Sequence, residues 1–113
     1  MNKGDPQTAY LEDRIHAVIL GGAIGDALGV PVEFKARGAF KVSDMIEHGT
    51  YNLPKGTWSD DTSLTLCLIE NIIENGSLDD LMRKFSNYQS NGYMTPYGRC
   101  FDIGITTIKA ISA

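Results

Sequence analysis

Cysteine is scarce here, neither charge sign dominates, and no long hydrophobic run stands out. Each shortage removes a class of answer. The two cysteines, Cys67 and Cys100, lie far apart, and Cys67 falls on an apolar helical face. That spacing offers neither a disulfide framework nor a metal knuckle, so two free thiols in a reducing compartment are expected. The 10 Lys and Arg and 14 Asp and Glu are interspersed, for a net charge of −4. Such a balance lacks the basic footprint of a nucleic-acid binder. No apolar segment reads as a membrane span, and the start lacks the basic-then-apolar layout of a secretory signal. The expectation is a cytoplasmic protein with no nucleic-acid or membrane partner. Repeats and low-complexity tracts are missing too. What remains is 113 residues, 42% hydrophobic and 21% charged, enough for one domain with a modest core.

The periodicity of this composition is helical nearly throughout, which makes the class all-α. Residues 1–8 are polar, carry Gly4 and Pro6, and read as a flexible leader. From Ala9 to Leu28, Leu11, Ile15, Val18, Ile19 and Gly22 share one face. Gly21, Gly25 and Gly29 recur every four residues, a smooth side suited to close packing by another helix. Glycine costs a helix about 1 kcal/mol relative to alanine, so three of them ask for a return such as close backbone or ligand approach. A phosphate-cradling turn is the competing reading of Gly21-Gly22-Ala23-Ile24-Gly25. The order Gly-Gly-x-x-Gly is not the dinucleotide fingerprint, however, and the Walker lysine is missing. Pro31 ends this helix. A short helix is expected over Val42–His48, with His48 as its C-terminal cation and Gly49 as its stop. Ser77 with Asp80 three residues on has the form of a capping box, opening a helix whose stripe Leu78, Leu81, Met82, Phe85 and Tyr88 reads as core. Asn91-Gly92 ends it, and a last helix is expected from about Asp102.

The stretch Gly56-Thr57-Trp58-Ser59-Asp60-Asp61-Thr62 is the most informative. It meets an apolar-periodic run that Gly76 stops, so Asp60 and Asp61 fall at a helix N-terminus. Ordinary capping is one explanation, since Ser and Asp are preferred there. Yet a cap needs one acceptor, and four consecutive side chains here offer oxygen. Adjacent helical carboxylates diverge by about 100°, so they would reach two neighbouring cations more readily than grip one. Oxygen-only ligation suits magnesium or manganese, not zinc. Trp58 reads equally as core or as the wall of a cleft.

Three motifs stand in order: Gly22-Ala23-Ile24-Gly25-Asp26-Ala27-Leu28-Gly29 with Pro31-Val32-Glu33, then Gly56 to Thr62, then Phe101-Asp102-Ile103-Gly104. Together they resemble the N-terminal part of the ADP-ribosylglycohydrolase family. The resemblance implies a multi-helical all-α domain over residues 9–113, incomplete at its C-terminus. It implies a hydrolase that removes ADP-ribose from modified protein side chains or from an ADP-ribose-containing small molecule, with a centre of two Mg2+ ions, or Mn2+. Ser59, Asp60 and Asp61 match the metal triplet, and serine keeps the hydroxyl of the usual threonine. Glu33, with Asp61, is the candidate for handling water and protons. Asp102, Gly104 and Asp26 match segments near the ADP-ribose cleft, and Asp26 reads equally as a brace between helix ends. Family members are more than twice as long and return a second Asp-x-Asp motif, which this sequence lacks. The alternative is therefore a catalytically inactive fragment that binds ADP-ribose or a partner. An exposed apolar face is expected, with self-association or a complementing C-terminal chain to cover it.

Overall fold

In the computed structural model, which describes residues 4–113, four helices follow one another: α1 (Pro6–Gly29), α2 (Asp60–Ile73), α3 (Leu78–Asn91) and α4 (Ile105–Ser112). Among the described residues there is no strand, only an isolated antiparallel bridge between His48 and Leu53. The all-α reading therefore holds. α1 starts earlier than the periodicity suggests. Asp5 caps it by accepting from the Gln7 N–H at 3.4 Å, and Pro6 sits where a missing N–H costs nothing. Helix thus takes over the stretch Pro6–Thr8, expected to be loose leader, while residues 1–3 lie outside the described residues. After Gly29 the chain tightens into a single 3-10 turn, Val30–Val32.

Two expected helices differ. Val42–His48 is not helical. Asp44 takes the Met45 N–H on its own side chain at 2.7 Å, a local bond that competes with the helix ladder. His48 and Leu53 then exchange backbone bonds of 2.7 and 3.1 Å across a turn with positive φ at His48, Gly49 and Asn52. His48 is consequently a turn residue, bonded to Asn52 at 2.8 Å, not a helix-terminal cation. The last helix begins at Ile105, not near Asp102, with extended Gly104 as its N-cap. The Asp102 carbonyl is instead taken by the Tyr88 hydroxyl, which fixes the preceding loop.

α2 is the centre of the fold, packed on α1 and on α3, and α3 carries α4. The α2–α3 hairpin is the best-tied part. Lys84 bridges Glu70 at 2.6 Å and Glu74 at 2.8 Å, and the Tyr93 hydroxyl also donates to Glu70. Ser77 and Asp80 form the expected capping box. Gly92 ends α3 in the left-handed region, where a Cβ would lie 2.3 Å from the Gly98 backbone. Only glycine fits both demands. Of the stripe expected as core, Tyr88 is buried, Leu81, Met82 and Phe85 are half-buried, and Leu78 is exposed. Cys67 is buried and both thiols are free.

α1 is different. Leu11, Ile15 and Val18 are 41%, 56% and 75% exposed. The apolar face expected to need a cover is thus present. Gly21, Gly25 and Gly29 have no atom within 4 Å of a built Cβ, so no helix packs on the glycine side. The reading that no segment is apolar enough for a membrane also needs correction. Pro6–Val32, 27 residues, holds a window of mean hydropathy 1.6, enough by length and composition to cross one. A helix meant for a protein core has the same pattern, and only 17% of this window is buried among the described residues.

Candidate functional site

The site is organised by Asp26, which leaves α1 and caps α2 from outside. Its carboxylate accepts from the backbone N–H of Ser59 at 2.8 Å and of Thr62 at 3.1 Å. It also accepts from the Ser59 and Thr62 hydroxyls at 2.5 and 2.7 Å. The first N–H groups of a helix have no internal partner, and here a side chain 33 residues upstream supplies it. Asp26 is thus the brace between helix ends, and its oxygens are already engaged by four donors. Of the two readings of Asp26, these bonds support the brace. Ser59 makes no capping bond of its own, and its buried hydroxyl faces Asp26 and, at 3.3 Å, Asp60. Of the N–H groups at the start of α2, Asp60 accepts only one and Asp61 accepts none. Asp60 accepts the Asp61 N–H at 3.0 Å, while Asp61 stands exposed.

Glu33 is held by the loop that replaced the expected second helix. Gly49 passes so close that a Cβ would sit 2.4 Å from the Pro31 carbonyl oxygen, at a φ of +54°. This contact lets Thr50 N–H reach Pro31 O at 3.0 Å and the Thr50 hydroxyl reach Glu33 O at 2.6 Å. Next in sequence, the Tyr51 hydroxyl donates to the Glu33 carboxylate at 2.7 Å. The Tyr51 ring meets Phe101 edge-on at 5.1 Å, which brings the Asp102 segment alongside. A second loop is tied to the start of α2. Trp58 Nε1 and the Ser63 hydroxyl both donate to Met94 O, and Thr57 bonds Tyr97 at 3.0 Å. Trp58 is therefore pinned and half-buried.

These placements bring Glu33, Asp60, Asp61 and Asp102 into one acidic neighbourhood. Burial raises the Glu33 pKa, and the charges of Asp102, Asp60 and Asp26 add to it against the Tyr51 hydrogen bond. Burial, then the charge of Asp60, raises the Asp102 pKa. Asp61 is raised by loss of solvent around its carboxyl and then by Asp60, although the residue as a whole is exposed. Among the described residues none of these three carboxylates forms an ion pair with Lys or Arg. Like charges without a counter-ion favour protonation or a bound cation. In kind, the oxygen donors suit Mg2+ or Mn2+. In number they fall short: among the described residues no three His, Cys, Asp or Glu side chains converge to hold an ion.

An open groove of about 470 Å³ runs along Gly21, Gly22, Gly25 and Gly29 and is bordered by Asp26, Glu33 and Asp61. Among the described residues the glycine face is thus a bare floor beside the carboxylates. Gly104 lies two residues past Asp102 as the cap of α4. Sequence reasoning missed Thr50 and Tyr51. No local pattern links them to Glu33, 17 and 18 residues away.

Comparison with known proteins agrees with the motifs. The sequence profile of a family described as ADP-ribosylglycohydrolase matches residues 7–113. An ADP-ribosylarginine hydrolase Tri1 of Serratia proteamaculans is 42% identical over 101 residues, covering 88% of this chain and 28% of that protein. Its counterpart of the same name in Pseudomonas putida is 39% identical, with 88% and 27% covered. An ADP-ribosyl-[dinitrogen reductase] glycohydrolase of Rhodospirillum rubrum is 34% identical, with 89% and 34% covered. The chain thus spans about a third or less of the relatives it matches.

Proposed function

This chain belongs to the ADP-ribosylglycohydrolase family, and on that premise we propose that it forms the acidic wall of a site that hydrolyses ADP-ribose from modified protein side chains. The observation that carries the reading is the groove that Glu33 and Asp61 both border, with the charges of Asp60 and Asp102 acting on each of them. Breaking the bond at the ribose anomeric carbon builds positive charge in an oxocarbenium-like state. A cluster of carboxylates with no cationic neighbour is suited to stabilise that charge. Water adds its oxygen to the anomeric carbon, the bond to the side chain breaks, and a proton passes to the departing nitrogen or oxygen. Glu33, its pKa raised by burial, is the group to hold or move that proton. Asp26 keeps the start of α2, and with it Asp60 and Asp61, in register with Glu33. Asp60 and Asp61 would be this chain's ligands to Mg2+ or Mn2+, the remaining donors coming from outside residues 4–113. A bound ion would polarise ribose hydroxyls and water.

The test is release of ADP-ribose from an ADP-ribosylated arginine protein, with magnesium and with chelator. Release that depends on magnesium and falls about 100-fold in Glu33→Gln is the expected result. No release from the wild-type chain at any magnesium concentration overturns hydrolysis by this chain. One observation favours a second reading, binding without turnover: no three carboxylates converge on one point among the described residues. Calorimetric binding of ADP-ribose by a chain that releases none would establish that reading instead.

A further inference from the structure

The loop between the 3-10 turn and α2 holds both ends of one residue. Thr50 binds the Glu33 backbone carbonyl at 2.6 Å and Tyr51 binds its carboxylate at 2.7 Å. Nothing in that loop's own packing requires a phenol there. A Phe ring would make the same edge contacts, 5.1 Å to Phe101 and 6.4 Å to Phe34. The hydroxyl therefore exists for its acceptor. That acceptor is the Glu33 carboxylate, and the charge of Asp102 acts on the phenol as well. Phe34, directly after Glu33, has a φ of +64° and is 87% exposed. A bulky residue rarely adopts that conformation. The chain therefore turns sharply just past Glu33, so local backbone preference alone does not aim its side chain.

We propose that Tyr51 is the positioning residue for Glu33, its ring clamped between Phe34 and Phe101 so that its hydroxyl fixes the carboxylate beside Asp102. A glutamate has three rotatable bonds, and a single donor in a braced ring selects one orientation from many. Orientation of a reacting carboxyl appears in kcat, while substrate affinity is set by the rest of the cleft. Burial, followed by the Glu33 bond, also holds the Tyr51 phenol well above its usual ionisation range. The proton accordingly stays on Tyr51, which remains a donor.

The kinetic test rests on the hydrolase reading above, so a second readout is kept independent of it. In the full chain, Tyr51→Phe is expected to lower kcat for ADP-ribose release about tenfold, with KM within about twofold and the melting temperature nearly unchanged. An unchanged kcat overturns the proposal, as does a loss of kcat matched by loss of folding. The second readout is the NMR shift of the Tyr51 ring carbon bearing the hydroxyl, followed through alkaline pH. Removing the acceptor in Glu33→Ala should move Tyr51 ionisation down toward the ordinary tyrosine value of about 10. An identical titration in both proteins overturns the proposal. If wild-type chain releases no ADP-ribose, the hydrolase reading fails alone and the NMR comparison still decides for Tyr51.

Discussion

The N-termini of α2 and α3 solve the same problem in opposite ways. Each presents orphan N–H groups and each has two acidic residues in its first turn, Asp60 and Asp61 or Asp79 and Asp80. At α3 the answer is local. Ser77 accepts the Asp80 N–H at 3.1 Å, and Asp80 returns the bond to Ser77 N–H at 2.8 Å. Its acid is consumed by the cap. At α2 the answer arrives from another helix, through Asp26, and Asp60 and Asp61 are left for other work. The difference teaches that an acidic helix start is diagnostic only once its capping acceptor is known. Where the acceptor is imported, the local carboxylates are surplus to folding and available to chemistry.

The largest effect should come from breaking the imported cap. Asp26→Ala removes the acceptor for four donors, two of them backbone N–H groups beside the buried residues Ser59 and Thr62. Leaving a buried donor unpaired costs about 1–3 kcal/mol; with the two hydroxyls free to turn to other acceptors, the two backbone N–H groups set a total loss of about 3 kcal/mol, and a melting temperature lower by roughly 15 °C is expected. Asp26→Asn keeps one carbonyl oxygen and should fall between. Thermal unfolding followed by circular dichroism measures both. If Asp26→Ala costs no more than loss of a local cap, the contrast between the two helix starts collapses.

How much of this was legible follows the same division. The capping box Ser77–Asp80, the Gly76 and Gly92 stops and the helical class are local patterns, and the sequence displays them. The motif Ser59-Asp60-Asp61 could be located but not interpreted. Whether those carboxylates cap α2 depends on Asp26, and nothing within one turn of Ser59 reveals it. Glu33 was legible through the resemblance, whereas Thr50 and Tyr51 were not. Their bonds to Glu33 need Gly49 pressed against Pro31, a tertiary contact. The helix expected over Val42–His48 failed for a related reason: apolar spacing was weighed, but not the Asp44 side chain competing for its own backbone. The exposed face of α1 shows the reverse case, a strong local signal whose partner is not among residues 4–113.

A smaller change tests the local side of the comparison. Ser77→Ala should cost about 1 kcal/mol, the usual value of an exposed N-cap, and lower the melting temperature by roughly 5 °C. Its effect should add to that of Asp26→Asn, since the two caps share no hydrogen-bond partner. A double variant markedly more or less stable than the sum would show that the caps communicate through α2, and the two starts could no longer be treated as independent.

The smallest effects are also the most discriminating, because the two acidic pairs should respond to pH with opposite signs. Asp80 has a pKa held below the ordinary range by the Ser77 backbone and side-chain bonds. A lowered folded pKa means stability that is present above the unfolded value, about 3.9, and is lost as pH falls through the folded one. Asp61 has a raised pKa, from loss of solvent and then from Asp60. Its contribution is fullest below the unfolded value and is lost as pH rises through the folded one, so its charge opposes folding at neutrality. Asp80→Asn should therefore lower the melting temperature at pH 7, with the deficit closing in acid. Asp61→Asn should raise it by roughly 1–2 °C at pH 7, with the gain vanishing near pH 3. Melting curves of the two variants across pH 3–7 decide the matter. If Asp61→Asn destabilises at neutral pH as Asp80→Asn does, Asp61 is serving the helix after all, and the carboxylates at the start of α2 are not free for a site.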